Sequence, residues 1–171
     1  MNAYLEILRF GNAVMAAIAV ILMMFVGHYY GLPIIICALI IFIATGAGNT
    51  INDVFDVKID EINKPHRPIP SGRISVENAR NYAFLLFAIA IILSFIVSCM
   101  VDSIWVSVIV ILACIVMYFY ARNFKAMPLI GNIAVAVMTG FCFVIAGVVV
   151  SSAMNSAYDF YVSVVLGLFA T

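Results

Sequence analysis

The chain has 171 residues, 67% of them hydrophobic and 9% charged, and its eight Lys and Arg balance eight Asp and Glu to zero net charge. A soluble domain of this length could not cover itself with so little polar surface, so its solvent is lipid. Without a net positive charge, the footprint of a nucleic-acid binder is also missing.

In chain order, apolar runs cover residues 12–26, 33–50, 76–100, 104–121, 127–150 and 157–171. At a rise of about 1.5 Å per residue, most can span a hydrocarbon core of about 30 Å. The first run is short alone, and residues 4–10 extend it as an interfacial helical turn. Continuous rather than alternating apolarity favours helices over barrel strands, and an open strand edge could not be satisfied in lipid. The expectation is an all-α, polytopic transmembrane bundle of six helices, read as one membrane domain over residues 1–171. Glu6 stands where a signal peptide would be basic, and no small-residue cleavage site precedes His28, so the first helix is expected to stay.

Orientation follows from the cations. Arg9 precedes the first helix, Lys58, Lys64, Arg67, Arg73 and Arg80 surround the second connection, and Arg122 and Lys125 occupy the fourth. The connections on the other side, at 28–32, 100–103 and 151–158, contain no Lys or Arg. This positive-inside pattern predicts a multi-pass cell-membrane protein with its N-terminus and charged rim in the cytoplasm. Cys37, Cys99, Cys114 and Cys142 each sit alone in an apolar run, without the paired spacing of a metal or redox site, and read as packing residues.

The second run ends in the most informative stretch, Gly46-Ala-Gly-Asn49-Thr-Ile-Asn52-Asp53-Val-Phe-Asp56-Val-Lys-Ile-Asp60. At about 100° per residue, Asn49, Asp53, Asp56 and Asp60 fall within a stripe of roughly 60°, with Asn52 about 40° beyond Asp56. Ile51, Val54, Phe55 and Ile59 take the other side. Acidic residues are often simply solvated where a helix leaves a membrane, and that suits Asp60 and Glu61. It does not explain one shared face, and each negative charge at a helix C-terminus opposes the macrodipole by about 0.3–1 kcal/mol. Carboxylates this close raise one another's pKa unless a cation intervenes. Hard oxygen donors without Cys or His point to Mg²⁺, held by Asn52, Asp53, Asp56 and Asp60 together with a substrate phosphate. Ala44, Gly46, Ala47 and Gly48 just before the stripe let a neighbouring helix approach closely.

Next comes Asn63-Lys-Pro-His-Arg67-Pro-Ile-Pro70-Ser-Gly72-Arg73, where three prolines are expected to hold the backbone extended and stop the helix. Ser75 can N-cap the third long helix, with Glu77 in its first turn. Lys64, Arg67 and Arg73 individually suit positive-inside anchors. Opposite an acidic, metal-holding face they form a diphosphate site, because the planar fork of Arg grips phosphate bidentately. The fourth connection adds Tyr118-Phe-Tyr120-Ala-Arg122-Asn-Phe-Lys125-Ala-Met-Pro128-Leu-Ile-Gly131-Asn132. Tyr118 reads as an interfacial anchor, and Tyr120, close to Lys125, as the better candidate for substrate.

The order Asn52-Asp53-x-x-Asp56-x-x-x-Asp60, then Arg67-Pro-Ile-Pro70-Ser-Gly72, then Tyr120, Lys125, Pro128-Leu-x-Gly131-Asn132, resembles the UbiA-type intramembrane prenyltransferases. The resemblance covers the chain from about Arg9 onward. Within that family, Arg9-Phe-Gly-Asn12 and Asn63-Lys-Pro-His-Arg67 look most like the archaeal geranylgeranylglyceryl-phosphate geranylgeranyltransferases. The resemblance implies a helix bundle with a lipid-open central cavity, Mg²⁺, a polyprenyl diphosphate donor and a lipid-like phosphorylated glycerol acceptor. It further implies catalytic roles for Asp53, Asp56, Asp60 and Lys125. Arg9, Asn12, Asn49, Asn52, Arg67, Arg73, Tyr120, Arg122 and Asn132 would bind substrate, with Arg9 and Asn12 orienting the acceptor. The family normally carries a second aspartate motif on its sixth helix, among about nine helices. Here the sixth run is still apolar at Thr171, and Asp159 lies at its opposite end, so a partial chain is expected.

Three other readings compete. The CDP-alcohol phosphotransferases also set aspartates at a membrane helix end, but their DGxxAR pattern is missing. Within the prenyltransferases, an aromatic acceptor such as 4-hydroxybenzoate is the alternative. A cation transporter would use intramembrane acids, yet these cluster at one end of one helix. Oligomeric state has no signal in the sequence.

Overall fold

The computed structural model describes residues 2–170, and Met1 and Thr171, the last position of the sixth apolar run, lie outside the described residues. The helices are α1 (Ala3–Glu6), α2 (Phe10–Val26), α3 (Leu32–Phe55), α4 (Val57–Asn63), α5 (Val76–Met100), α6 (Trp105–Arg122), α7 (Pro128–Met154) and α8 (Ala157–Ala170), with a 3₁₀ turn at Phe124–Ala126. No strand occurs among the described residues. Four of them, Leu32–Phe55, Val76–Met100, Trp105–Arg122 and Leu129–Met154, are long and apolar enough to cross a membrane, while Phe10–Val26 and the last helix are shorter apolar helices. The all-α bundle expected from the apolar runs is therefore observed.

α3 is the central element and packs against α2, α5, α6 and α7. Ala44 and Ala47 of α3 and Ala83 and Ala90 of α5 are all buried in one core, small residues that let helix backbones approach closely. Gly46 and Gly48 serve other neighbours. A Cβ on Gly46 would come within 3.0 Å of Leu8 Cδ2, and one on Gly48 within 2.8 Å of Met117 Sδ. Large apolar side chains such as Leu22, Leu85, Ile92 and Trp105 are exposed, the arrangement expected where lipid replaces water outside.

Local signals set the boundaries. Pro33 opens α3, where its missing N–H costs nothing. Ser75 caps α5 by accepting from Asn78 N at 3.1 Å, with Glu77 in the first turn, as its sequence position predicts. At the far end of the α5–α6 hairpin, the buried hydroxyls of Ser98 and Ser107 bond at 2.7 Å.

Two local expectations are corrected. Residues 4–10 do not continue the first membrane helix: α1 is a separate turn, and the chain breaks at Arg9, whose φ of 51° and ψ of 62° are left-handed. A non-glycine residue there is strained by about 1–3 kcal/mol and persists only when its surroundings hold it. The proline loop is not extended. It folds into successive turns, with Arg67 N bonding Lys64 O and Ser71 N bonding Arg67 O, each at 3.0 Å, and Ile74 N bonding Pro68 O at 3.1 Å. Prolines at 65, 68 and 70 stop the helix but leave enough N–H groups between them to close turns.

Candidate active site

At one end of the bundle α3 yields to α4 through Asp56, whose φ of −88° and ψ of −2° interrupt the helix. The polar stripe survives the break. Asp53, Asp56 and Asp60 are 5%, 7% and 4% exposed, while Ile59 and Ile62 on α4 point outward. Three buried carboxylates on one side of one segment need positive partners, since an unpaired buried charge costs several kcal/mol.

Those partners are side chains. Arg9 donates from Nη2 to Asp53 Oδ1, and Arg67 Nη1 donates to the same oxygen at 3.1 Å and to Asp60 Oδ2 at 2.5 Å. Lys125 donates from Nζ to Asp56 Oδ2. The cation that their crowding calls for, expected from the sequence to be Mg²⁺, is thus met within the chain, since Arg9, Arg67 and Lys125 already neutralise the carboxylates. The strained turn at Arg9 is what delivers its guanidinium to Asp53.

Asn52, on the last turn of α3, donates from Nδ2 to Asp56 Oδ2 at 3.2 Å. Its Oδ1 is buried and has no hydrogen-bond partner among the described residues. Buried acceptors are rarely left so. Asn49 donates to the Leu8 carbonyl at 2.9 Å, tying α3 to the N-terminal segment.

Beside this cluster, between α2, α3, α6 and α7, lies a cavity of about 690 Å³. Arg9, Asn12, Asn49, Asn52 and Tyr120 line its polar part, and Ala19, Ile41, Val135, Phe141 and Phe143 are among its apolar walls. The volume is in the range of small-molecule sites, roughly 300–1,000 Å³. Met15, Thr45, Met138 and Thr139 also line it and were not singled out in the sequence, whereas Gly48, marked there as a packing residue, lines it too. Only the facing of α2, α6 and α7 reveals them.

Not every expected site residue gathers here. Arg73 turns to the N-terminal turn, giving a bidentate pair with Glu6 at 2.6 and 2.9 Å and a bond to His66 O at 2.7 Å. That pair holds the Glu6 carboxyl below its usual pKa, through the hydrogen bond from Arg73 first and its charge second. Beneath it Ile7, Ile69, Ile74 and Ala79 form a small core that docks α1 on the loop. Arg122 and Asn132 are exposed and make no side-chain bond among the described residues. Tyr118 packs edge-on against Phe55, with ring centroids 5.8 Å apart, as a packing residue at the rim.

Among the described residues no three or more His, Cys, Asp or Glu are grouped to hold a metal ion. Mg²⁺ does not demand such a group, because it commonly uses one or two carboxylates plus waters and substrate phosphate. Asn52, whose side chain bonds Asp56 and which lines the cavity, brings a buried amide oxygen beside that carboxylate, a fitting set of hard donors.

These features define a multi-pass helical membrane protein with a charged cluster at one end of an apolar cavity. The sequence matches the UbiA prenyltransferase family over residues 13–171, and the chain belongs to that family. It is 52% identical over 171 residues to the digeranylgeranylglyceryl phosphate synthase of Methanobrevibacter smithii, covering 99% of this chain and 59% of that protein. It is 46% identical over 170 residues to the same-named protein of Methanosphaera stadtmanae, with 99% and 58% covered. A solved structure described as concerning digeranylgeranylglyceryl phosphate synthase in membranes aligns with a TM-score of 0.83 at 30% identity, over 97% of this chain and 59% of that one. The chain thus spans less than two thirds of the length of these relatives.

Proposed function

We propose that the protein transfers a geranylgeranyl group from geranylgeranyl diphosphate to geranylgeranylglyceryl phosphate, forming the second ether bond of an archaeal lipid precursor. The observation that carries this is the junction of the cavity with the charged cluster: an apolar chamber for an isoprenoid tail, and at its end Arg9 and Asn52, bonded to the buried carboxylates of Asp53 and Asp56. The name shared by the relatives supplies the substrates.

The tail lies along Ala19, Ile41, Phe141 and Phe143, and the diphosphate rests at Arg9, Asn52 and Tyr120. Asn52, Asp53 and Asp56 would hold a Mg²⁺, which would supply positive charge to the leaving diphosphate. Arg9, Arg67 and Lys125 add to it, the electrostatic stabilisation that is often the largest catalytic contribution. The C1–O bond breaks with its electron pair on diphosphate, and the apolar walls keep water from the allylic cation. The acceptor hydroxyl oxygen then bonds C1 and releases its proton at the exposed rim. Arg9 and Asn12 orient the acceptor phosphate, and the rim faces the cytoplasm, consistent with the eight basic residues at that end.

The test is turnover of labelled geranylgeranyl diphosphate over a Mg²⁺ series by the wild type and Asp56→Asn. Turnover should need both Mg²⁺ and geranylgeranylglyceryl phosphate and fall at least a hundredfold in the variant. Near-normal turnover by Asp56→Asn removes the role of this carboxylate.

A further inference from the structure

We propose that the charged cluster is a self-neutralised resting state that accepts a divalent cation and a diphosphate as a pair and neither one alone, with Lys125 as the exchanging group. The inference rests on the metal and diphosphate site proposed above and concerns how that site fills.

Every buried carboxylate already has a cationic partner: Arg9 and Arg67 on Asp53, Arg67 on Asp60, Lys125 on Asp56. A dication arriving alone meets Arg9 and Lys125 in its place and must push like charge aside. A diphosphate arriving alone draws those cations away, leaving Asp56 buried without a cation and Asp53 with Arg67 alone, both beside new negative charge. Each of these half-exchanges carries the penalty of an uncompensated buried charge.

Together the two ligands leave no buried carboxylate without positive charge, because Arg67 stays on Asp53 and Asp60. The metal takes over the Asp56 carboxylate and fills the empty acceptor position at Asn52 Oδ1, while the diphosphate takes Lys125 and Arg9. Lys125 is suited to the exchange. Its side chain is 37% exposed against 17% for Arg67, it is carried on the three-residue turn Phe124–Ala126, and it holds Asp56 by a single contact. A lysine is a point charge on a flexible stem that can redirect its three donors, whereas Arg67 is held by two carboxylates at once, both on its Nη1. The coupling is reciprocal, so each ligand raises the affinity for the other by the same factor.

The experiment uses the full chain in lipid nanodiscs without prenyl substrate. Free Mn²⁺ is read by electron paramagnetic resonance, and pyrophosphate binding is read in chelator by calorimetry. Wild type should hold Mn²⁺ alone weakly, pyrophosphate alone weakly, and the equimolar complex tightly. Lys125→Gln should tighten Mn²⁺ alone on the order of tenfold, because Asp56 loses its partner. Lys125→Arg should not, and neither should Lys64→Gln, which removes an exposed rim cation with no side-chain partner among the described residues. Asp56→Asn frees Lys125 and should tighten pyrophosphate alone by a similar factor, an independent arm should Lys125→Gln fail to fold. Equal Mn²⁺ affinity in wild type and Lys125→Gln, or an equal gain in Lys64→Gln, overturns the exchange while leaving the site intact. Failure of wild type to bind even the Mn²⁺–pyrophosphate complex overturns the exchange and the metal site together.

Discussion

Asp60 and Arg67 are joined at 2.5 Å across the turn that ends α4, and the same Arg67 nitrogen reaches Asp53 at 3.1 Å. One side chain therefore fixes the proline loop to both ends of the acidic segment. Arg67→Ala should leave two buried carboxylates short of a partner and destabilise by about 3 kcal/mol, the usual result of halving a buried pair. Thermal melting in detergent checks this, with Arg67→Ala/Asp60→Asn recovering part of the loss.

Asn52 separates function from stability. Its Oδ1 is buried without a partner, so Asn52→Leu removes an unsatisfied group at the cost of one 3.2 Å bond to Asp56. Stability should change by less than about 1 kcal/mol, while turnover falls by a factor on the order of a hundred. Parallel melting and kinetic assays decide it. A large stability loss with normal turnover would make Asn52 structural.

The Glu6–Arg73 pair predicts a pH dependence. Glu6 is held below its ordinary value of 4.5, chiefly by the hydrogen bond from Arg73. A carboxylate whose pKa is lower folded than unfolded stabilises above the unfolded value and loses that contribution as pH falls through the folded one. The protection of α1 and the proline loop against hydrogen exchange, taken relative to the unstructured rate at each pH, should be high at neutral pH and fall once pH drops below 4.5. In Glu6→Gln the protection should be lower at neutral pH and show no such step.

Gly48 faces both Met117 and the cavity. A Cβ there meets the thioether at 2.8 Å, and a methionine end moves at little expense. Gly48→Ala should therefore cost less than about 1 kcal/mol in stability. Because the displaced sulfur moves into the cavity, the KM for the longest prenyl diphosphates should rise more than that for short ones.

Much of this was legible in the sequence because periodicity is local. The helical repeat alone put Asp53, Asp56 and Asp60 on one side, and Ser75 marked the start of α5. The missed parts were those that depend on contacts between distant segments. The need for positive charge near the acids was correctly inferred, but Arg9 and Lys125 reach Asp53 and Asp56 across 44 and 69 residues, a pairing no spacing rule supplies. Arg73 looked like another phosphate ligand because its type and neighbourhood were right. Only the docking of α1 on the loop reveals that Glu6 holds it. Arg122 and Asn132 share the rim with Lys125 but stay exposed, since a residue's address in a connection does not fix its direction.

The most direct measurement is the structure of the full chain bound to Mg²⁺ and a non-cleavable geranylgeranyl thiodiphosphate. The account predicts the tail between Ala19, Ile41 and Phe141, a metal on Asn52 Oδ1 and Asp56, and Lys125 turned from Asp56 to phosphate. A headgroup bound away from Asn52, or a tail outside the cavity with Lys125 still on Asp56, would contradict it.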